Sequence, residues 1–377
     1  MNSPDRHPQS HPAEFSSVTT EENRIDWPAL EALTHRDPAA RGLASFRREA
    51  RPLDAGQLRG AAVHLARHAA GVAIVTGFCA VTNDRVTAET DGPPGALFLA
   101  RALMALGIQP LVISDRYALP LLEAGCNAWR LDRKILVEFP FEDGDPAAAA
   151  RANNGPSWDA KTDRWLDGFF AAGPGNRLSH IIAIERAGPS HTLESFQKQS
   201  RTAVAPSNSF SADVPAEDRN LCHDMRGQSI NGWTAKTHRV FEWIGEKHLP
   251  IVTIGIGDGG NEIGMGRFAW ELLVEAIGSA PAGRIACRIA TDFALIAGVS
   301  NWAAYALALA LCRLRGHAKL ACDWTAPEQR ELIELMVRKA GAVDGLSLRP
   351  EATVDGLSLE TFLQPLVEIR NLLEIES

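Results

Sequence analysis

The chain has 377 residues, with 38 Lys+Arg against 46 Asp+Glu and a formal net charge of −8. That acidic balance argues against nonspecific nucleic-acid binding, which needs surplus positive charge to displace counterions. Hydrophobic residues at 45% and charged residues at 22% are the mixture of a soluble globular chain, and the longest apolar run, Trp302 to Cys312, falls short of the ~20 residues a bilayer span needs.

Residues 1–25 are rich in Ser, Pro, His and Thr, and a tail is expected there. They hold no apolar export segment, and Asp5, Glu14, Glu21 and Glu22 do not suit a transit peptide, so a cytoplasmic location is expected. The six cysteines (79, 126, 222, 287, 312 and 322) are scattered without a C-x-x-C pair and read as reduced thiols. Trp27 to Arg47 reads as leading helices, so residues 1–50 form a tail and lead-in, and 51–377 a single α/β domain.

From residue 51 helices and short apolar runs alternate. Helices are expected at Ala55–Ala70, Pro94–Leu106 and Ala118–Ala124, the last closed by Gly125. Further helices are expected at Thr234–Lys247, Trp302–Leu314, Pro327–Ala340 and Glu360–Leu373. Strands are expected at Val72–Val75, Leu111–Ile113, Ile135–Phe139, His180–Ile184, Ile251–Ile254 and Ile285–Ala290. This alternation predicts a doubly wound, mostly parallel sheet with helices on both faces, Rossmann-like in kind.

Two stretches interrupt the rhythm. Glu142 to Gly175 reads as a helix with a surface loop, and Ser190 to Arg226 as a long polar lid. Val-Asp-Gly-Leu-Ser-Leu occurs at 343–348 and again at 354–359, and reads as two similar turns without functional weight.

Ligands of open parallel sheets bind beyond the carboxyl ends of the strands. The polar residues following the expected strands are Thr76 and Gly77, Ser114 and Asp115, Glu185 and Arg186, the run Gly255 to Gly266, and Thr291 and Asp292. The run from 255 to 266 carries six glycines with Asp258, Asn261 and Glu262 among them. Gly255, Gly257 and Gly260 satisfy G-x-G-x-x-G formally, but Asp258 would sit where a pyrophosphate belongs. Two carboxylates four apart suit a divalent cation, Mn²⁺ or Mg²⁺, or an amine; the plain alternative is a capped turn. Glu89-Thr-Asp-Gly-Pro-Pro-Gly95 opens a helix, where Asp91 can cap and the free amides near Gly95 can cradle a carboxylate. Arg226, in His223-Asp-Met-Arg-Gly227, could clamp a carboxylate or be an ordinary surface arginine. His64 and His68 have metal-pair spacing but read as a solvated face, and His180 reads as structural.

Gly255–Gly266, Glu89–Gly95 and Met225–Gly227 together resemble the D-glutamate cyclase family, in particular the C-terminal domain of that enzyme and its stand-alone bacterial relatives. The resemblance covers roughly Val72 to Ala340. It implies dehydration of D-glutamate to 5-oxo-D-proline with help from a divalent metal such as Mn²⁺. Animal members carry an additional large N-terminal domain resembling hydro-lyases, without counterpart in this sequence.

On that footing Asp258 and Glu262 are the expected metal ligands, and Glu89 or Glu185, with Asp258, the expected catalytic groups. Thr76, Gly77, Asp91, Gly95, Arg226, Gly257, Gly259, Gly260, Asn261 and Asp292 are expected to contact an amino-acid substrate. Two other readings stand beside this one: a Rossmann-like phosphate- or nucleotide-binding enzyme, and a noncatalytic amino-acid-binding domain. No membrane or nucleic-acid partner is expected, and the helices near 302–314 and 360–373 permit a homodimer.

Overall fold

The computed structural model describes residues 18–38, 43–48, 51–82, 85–141, 160–199 and 207–375. Six strands among them form one sheet: β1 (Gly71–Thr76), β2 (Gln109–Ser114), β3 (Leu136–Glu138), β4 (His180–Ile184), β5 (Val252–Gly257) and β6 (Phe293–Ile296). Their order across the sheet is β3-β2-β1-β4-β5-β6, and every pairing is parallel. This is the doubly wound order, with its reversal point between β1 and β4.

The strands are short Val/Ile-rich runs because both faces are covered. Val72 and Ile74 of β1, Ile182 and Ile184 of β4, and Ile254 and Ile256 of β5 pack into one core. Their alternates Ala73, Val75, Ile181 and Ala183 pack into the other. The first face carries α1 (Gln57–His68), α2 (Pro93–Ala105) and α3 (Leu119–Trp129). On the second lie α4 (Ala160–Ala171), α5 (His238–Glu246) and α6 (Trp270–Ile277). Completing the first layer are α7 (Ser300–Leu314), α8 (Ala326–Leu335) and α9 (Leu359–Leu372). Almost every side chain of α7 is buried within the chain, so this helix offers no free face to a second copy.

Several expectations need correction. The apolar stretch Ile285–Ala290 is no strand; Pro281 starts a short helix, Ala282–Ile285, and the sixth strand follows at Phe293–Ile296. Asp292 therefore precedes β6 and lies at the opposite edge of the sheet, where its carboxylate accepts hydrogen bonds from the Thr253 amide (2.8 Å) and hydroxyl (2.9 Å). Gly125 does not end α3, which runs on to Trp129; Leu97 and Met336 pack where a Cβ on Gly125 would stand. Residues 234–237 precede α5 instead of joining it, since the Ala235 backbone is held by Asp115 and Arg186. The helix expected to Ala340 becomes a single π-turn at Met336–Ala340, closed by Gly341 at φ +72°.

Val18 and Ile25 are buried, so the packed chain already begins at residue 18; the rest of the expected tail lies outside the described residues. So do residues 142–159 of the expected surface loop, and 200–206 of the expected lid. The remainder of that lid is not a structureless loop. It holds helices Leu193–Lys198 and Ser207–Asp213, and its Phe196 and Phe210 stack 4.3 Å apart in the second core.

Candidate active site

Beyond the carboxyl ends of β1, β4 and β5 lies a cavity of about 310 Å³. That is the low end for small-molecule sites and suits a metabolite better than a dinucleotide. Glu89, Glu185, Asp258, Asn261, Glu262 and Asp355 line it, with Phe78, Ile230 and Leu346 as apolar wall and Met225 and Arg226 toward the outside. Asp91 stands just behind. One oxygen each from Asp91, Asp258 and Asp355 lie within 4.8 Å of one another, and so do oxygens from Glu185, Asp258 and Glu262. All five residues are buried. The expected meeting of acidic groups from separate βα units is thus present.

Glu262 folds back over its own loop. Its carboxylate accepts the amide N–H of Gly259 at 2.7 Å and of Gly260 at 2.8 Å. The glycines are what allow this: a Cβ on Gly257 would come within 2.6 Å of Glu262 Oε2, and one on Gly259 within 2.9 Å of Oε1. The amides that would cradle a pyrophosphate are therefore already filled by an internal anion. α6 begins only at Trp270, so no helix start stands behind the loop either. Both facts count against the nucleotide-binding reading.

Asp91 works differently from its expected role. Its carboxylate accepts the Ser300 and Asn301 amides, both at 2.8 Å, and so caps α7 instead of α2. Asn301 returns the exchange: its Oδ1 accepts the amides of Gly92 (3.1 Å) and Gly95 (2.8 Å) at the start of α2. The anion cradle expected near Gly95 is consequently occupied by a side chain of the protein itself. Ser300 also donates its hydroxyl to Glu185 at 2.6 Å. Glu185, the first residue after β4, is held at φ +44°, a backbone conformation uncommon for a side chain other than glycine.

Of the remaining expected residues, Thr76 is buried at the end of β1, with its hydroxyl beside Gly92. Gly77 serves the frame: its carbonyl accepts from Arg186 at 2.6 Å. Arg186 is fully buried and also donates to Asp115 (2.6 Å), Ala235 O (2.9 Å) and Thr237 (3.0 Å), so it is locked away from the cavity. Arg226 is half-exposed at the cavity and donates to Leu346 O at 2.8 Å. At the other edge of the sheet, His64 hydrogen-bonds His180 at 2.9 Å, so it is no merely solvated residue.

Asp355 went unrecognised in the sequence. It lies at the tip of the hairpin Thr353–Val354/Leu357–Ser358, whose two-residue turn Asp355-Gly356 has φ +54° and +78°. Positive φ at both positions is the primed hairpin turn that Asp-Gly favours. The turn is tethered by buried Asp344, which accepts the Gly356 amide at 2.7 Å and those of Leu346 and Ser347 at 3.0 and 2.7 Å. These are the two copies of Val-Asp-Gly-Leu-Ser-Leu. Contrary to expectation they matter: one lays Gly345, Leu346 and Leu348 along the cavity and the other supplies its carboxylate.

Crowding and burial raise the proton affinity of these carboxylates. Burial, followed by the charges of Asp355 and Asp258, pushes Asp91 well above the usual carboxylate range. Burial, then Asp258 and Glu262, does the same to Glu185. Burial raises Glu262 as well, opposed by the backbone amides it accepts. Among the described residues only Arg226 lines the cavity with positive charge. Hard oxygens in this number fit a divalent cation. Asn261 supports the fit: its Nδ2 donates to His223 O at 2.8 Å, while its buried Oδ1 has no hydrogen-bond donor, as a neutral metal ligand would.

The raised proton affinity of Glu185 sets a pH dependence. A group that binds protons more tightly when folded stabilises the fold below its unfolded pKa, near 4.3, and that contribution is lost as pH rises through the folded value. Cation-free Glu185→Gln, which keeps an acceptor for Ser300, should therefore gain stability relative to wild type as pH rises from about 5 to about 8. Melting curves at both pH values test this; a constant gap between the two proteins would contradict the charge-crowding account.

Comparison with known proteins places these features in context. A family model described as D-glutamate cyclase-like, C-terminal, matches residues 30–201 and 214–370. Mitochondrial D-glutamate cyclase from Homo sapiens is 31% identical over 295 residues, covering 75% of this chain and 38% of the human protein.

Proposed function

This chain belongs to the D-glutamate cyclase-like C-terminal family, and from that premise we propose that its acidic cavity converts D-glutamate to 5-oxo-D-proline with loss of water. The observation that carries the proposal is the convergence of Glu89, Glu185, Asp258, Glu262 and Asp355 on one small cavity beside the sheet's reversal point.

The reaction joins the α-nitrogen to the γ-carboxyl carbon and breaks a C–O bond. Two protons leave nitrogen and two arrive on the departing oxygen, so one carboxyl group that receives a proton and returns it can serve both ends. Glu185 fits that role: it lines the cavity, is oriented by the Ser300 hydroxyl, and holds a proton readily. Glu89 lines the same cavity and is the second candidate. Closing a five-membered ring gains from proximity, so no ATP is required in principle.

A dicarboxylate would be repelled by this lining unless its charge were offset. Asp258 and Glu262, with Asn261, would hold a divalent cation, which supplies Lewis-acid polarisation of the γ-carboxylate when bound. Arg226, able to leave Leu346, would receive the α-carboxylate. The apolar wall of Phe78, Ile230 and Leu346 would keep water from competing.

Purified protein incubated with D-glutamate and Mn²⁺, followed by chiral chromatography, should yield 5-oxo-D-proline above the spontaneous rate. Thermal stabilisation by D-glutamate without product would instead support a noncatalytic amino-acid-binding domain. Stabilisation by ATP or NAD(P) alone would favour the nucleotide reading.

A further inference from the structure

We infer that the cavity holds two divalent cations side by side, with Asp258 as the carboxylate they share. The inference rests on the cation reading above and extends it from one ion to a pair. Its first ground is geometry. The acidic residues do not form a single ring; they fall into two three-oxygen groups, Glu185/Asp258/Glu262 and Asp91/Asp258/Asp355, which have Asp258 in common. With Glu185 engaged as a ligand, the proton-carrying role falls to Glu89, which lines the same cavity. A carboxylate offers two oxygens with about four lone pairs, enough to bridge.

The second ground lies in neutral oxygens, independent of the acidic cluster. Asn261 is 1% exposed and lines the cavity beside Asp258 and Glu262, and its Oδ1 accepts no hydrogen bond. Thr76 is fully buried, and its hydroxyl, which lies beside Gly92, has no hydrogen-bond partner. Buried polar atoms ordinarily find partners, and the Asn261 oxygen, which lines the cavity beside Asp258 and Glu262, is what a cation with mixed carboxylate and neutral ligands would satisfy.

Charge supplies the third ground. Glu89 and Asp224 line the cavity beside the clustered carboxylates, against the single half-exposed Arg226, which already stands 3.9 Å from Asp224. Once ionised to bind metal, these carboxylates outnumber the charge of one divalent ion, and a second ion offsets more of it. Several of the carboxylates are also fixed in advance: backbone amides hold Asp91 and Glu262, and the Ser300 hydroxyl holds Glu185. Pinning of this kind orients ligands before the metal arrives.

The two groups also come from different parts of the chain. Glu185, Asp258 and Glu262 belong to the loops after β4 and β5, whereas Asp355 comes from the C-terminal hairpin. The second ion should therefore be separately removable. Mn²⁺ titration of the apo-protein, read by equilibrium dialysis and electron paramagnetic resonance, tests this without reference to turnover. Two Mn²⁺ per chain are expected. The second should broaden and weaken the six-line spectrum of the first, because ions sharing a carboxylate lie roughly 3.5–4 Å apart.

Asp355→Asn should retain one Mn²⁺ with an uncoupled spectrum and lose the second by at least about tenfold in affinity. Asp258→Asn should weaken both and abolish coupling, with circular dichroism confirming the fold. One Mn²⁺ per chain, or two without coupling, would overturn the shared-carboxylate pair and leave the single-cation reading intact. No Mn²⁺ at all would overturn both.

Discussion

On the proposed cyclase reaction, Asp258→Asn is expected to lower turnover of D-glutamate by about 10²-fold, because the cation that polarises the γ-carboxylate loses a ligand. The substitution is nearly isosteric, so the loop should keep its path. Glu262→Gln would be a poorer probe. Glu262 accepts the Gly259 and Gly260 amides through different oxygens, so an amide group there would point N–H at N–H in one arm. Steady-state rates of oxoproline formation, measured with Mn²⁺ in excess, would show the effect. Turnover within about threefold of wild type would remove Asp258 from the chemistry.

The largest stability loss should come from Arg186→Ala. Arg186 and Asp115 are a wholly buried ion pair, and removing one partner strands the other charge, at a cost of about 3–5 kcal/mol. The Gly77 and Ala235 carbonyls would lose donors too. Urea denaturation should show the midpoint falling accordingly. The double variant Arg186→Met/Asp115→Leu separates the causes: it removes the stranded charge but not the orphaned carbonyls, so it should recover part of the loss. A single variant as stable as wild type would mean that the pair does not hold β1, β2 and β4 together at their carboxyl ends.

What the sequence disclosed follows from the range of the interactions involved. β1, β2, β4 and β5 are apolar runs bounded by polar residues, and doubly covered strands must read that way, so the sheet was visible. The Gly-rich run was visible because six glycines exceed any one turn's need, and Asp258, Asn261 and Glu262 do meet in the cavity with Glu89 and Glu185. Asp292 was misplaced because Ile285–Ala290 has strand-like composition, whereas the true strand is only four residues long and starts directly at Phe293.

Asp91 and Asn301 could not be deciphered locally, since each caps a helix more than two hundred residues away and only the packing of α2 against α7 brings them together. Asp355 was hidden for a different reason. Asp-Gly in a tight hairpin is ordinary turn chemistry, and nothing in the adjoining residues shows that this turn ends in a cavity. The repeated hexapeptide was the available signal, and its meaning depends on Asp344 tying the two copies together.

The hairpin from 353 to 358 has a consequence for how this site can diversify. Its floor is built into strand ends and helix caps, where any change disturbs the frame. Its roof is a short turn tied down by Asp344 and by the Thr90 hydroxyl, which donates to Thr353 O at 2.7 Å. Selection acting on the cavity-lining residues of this segment, Gly345, Leu346, Leu348 and Asp355, can therefore reshape the lining while the strand ends beneath are inherited unchanged.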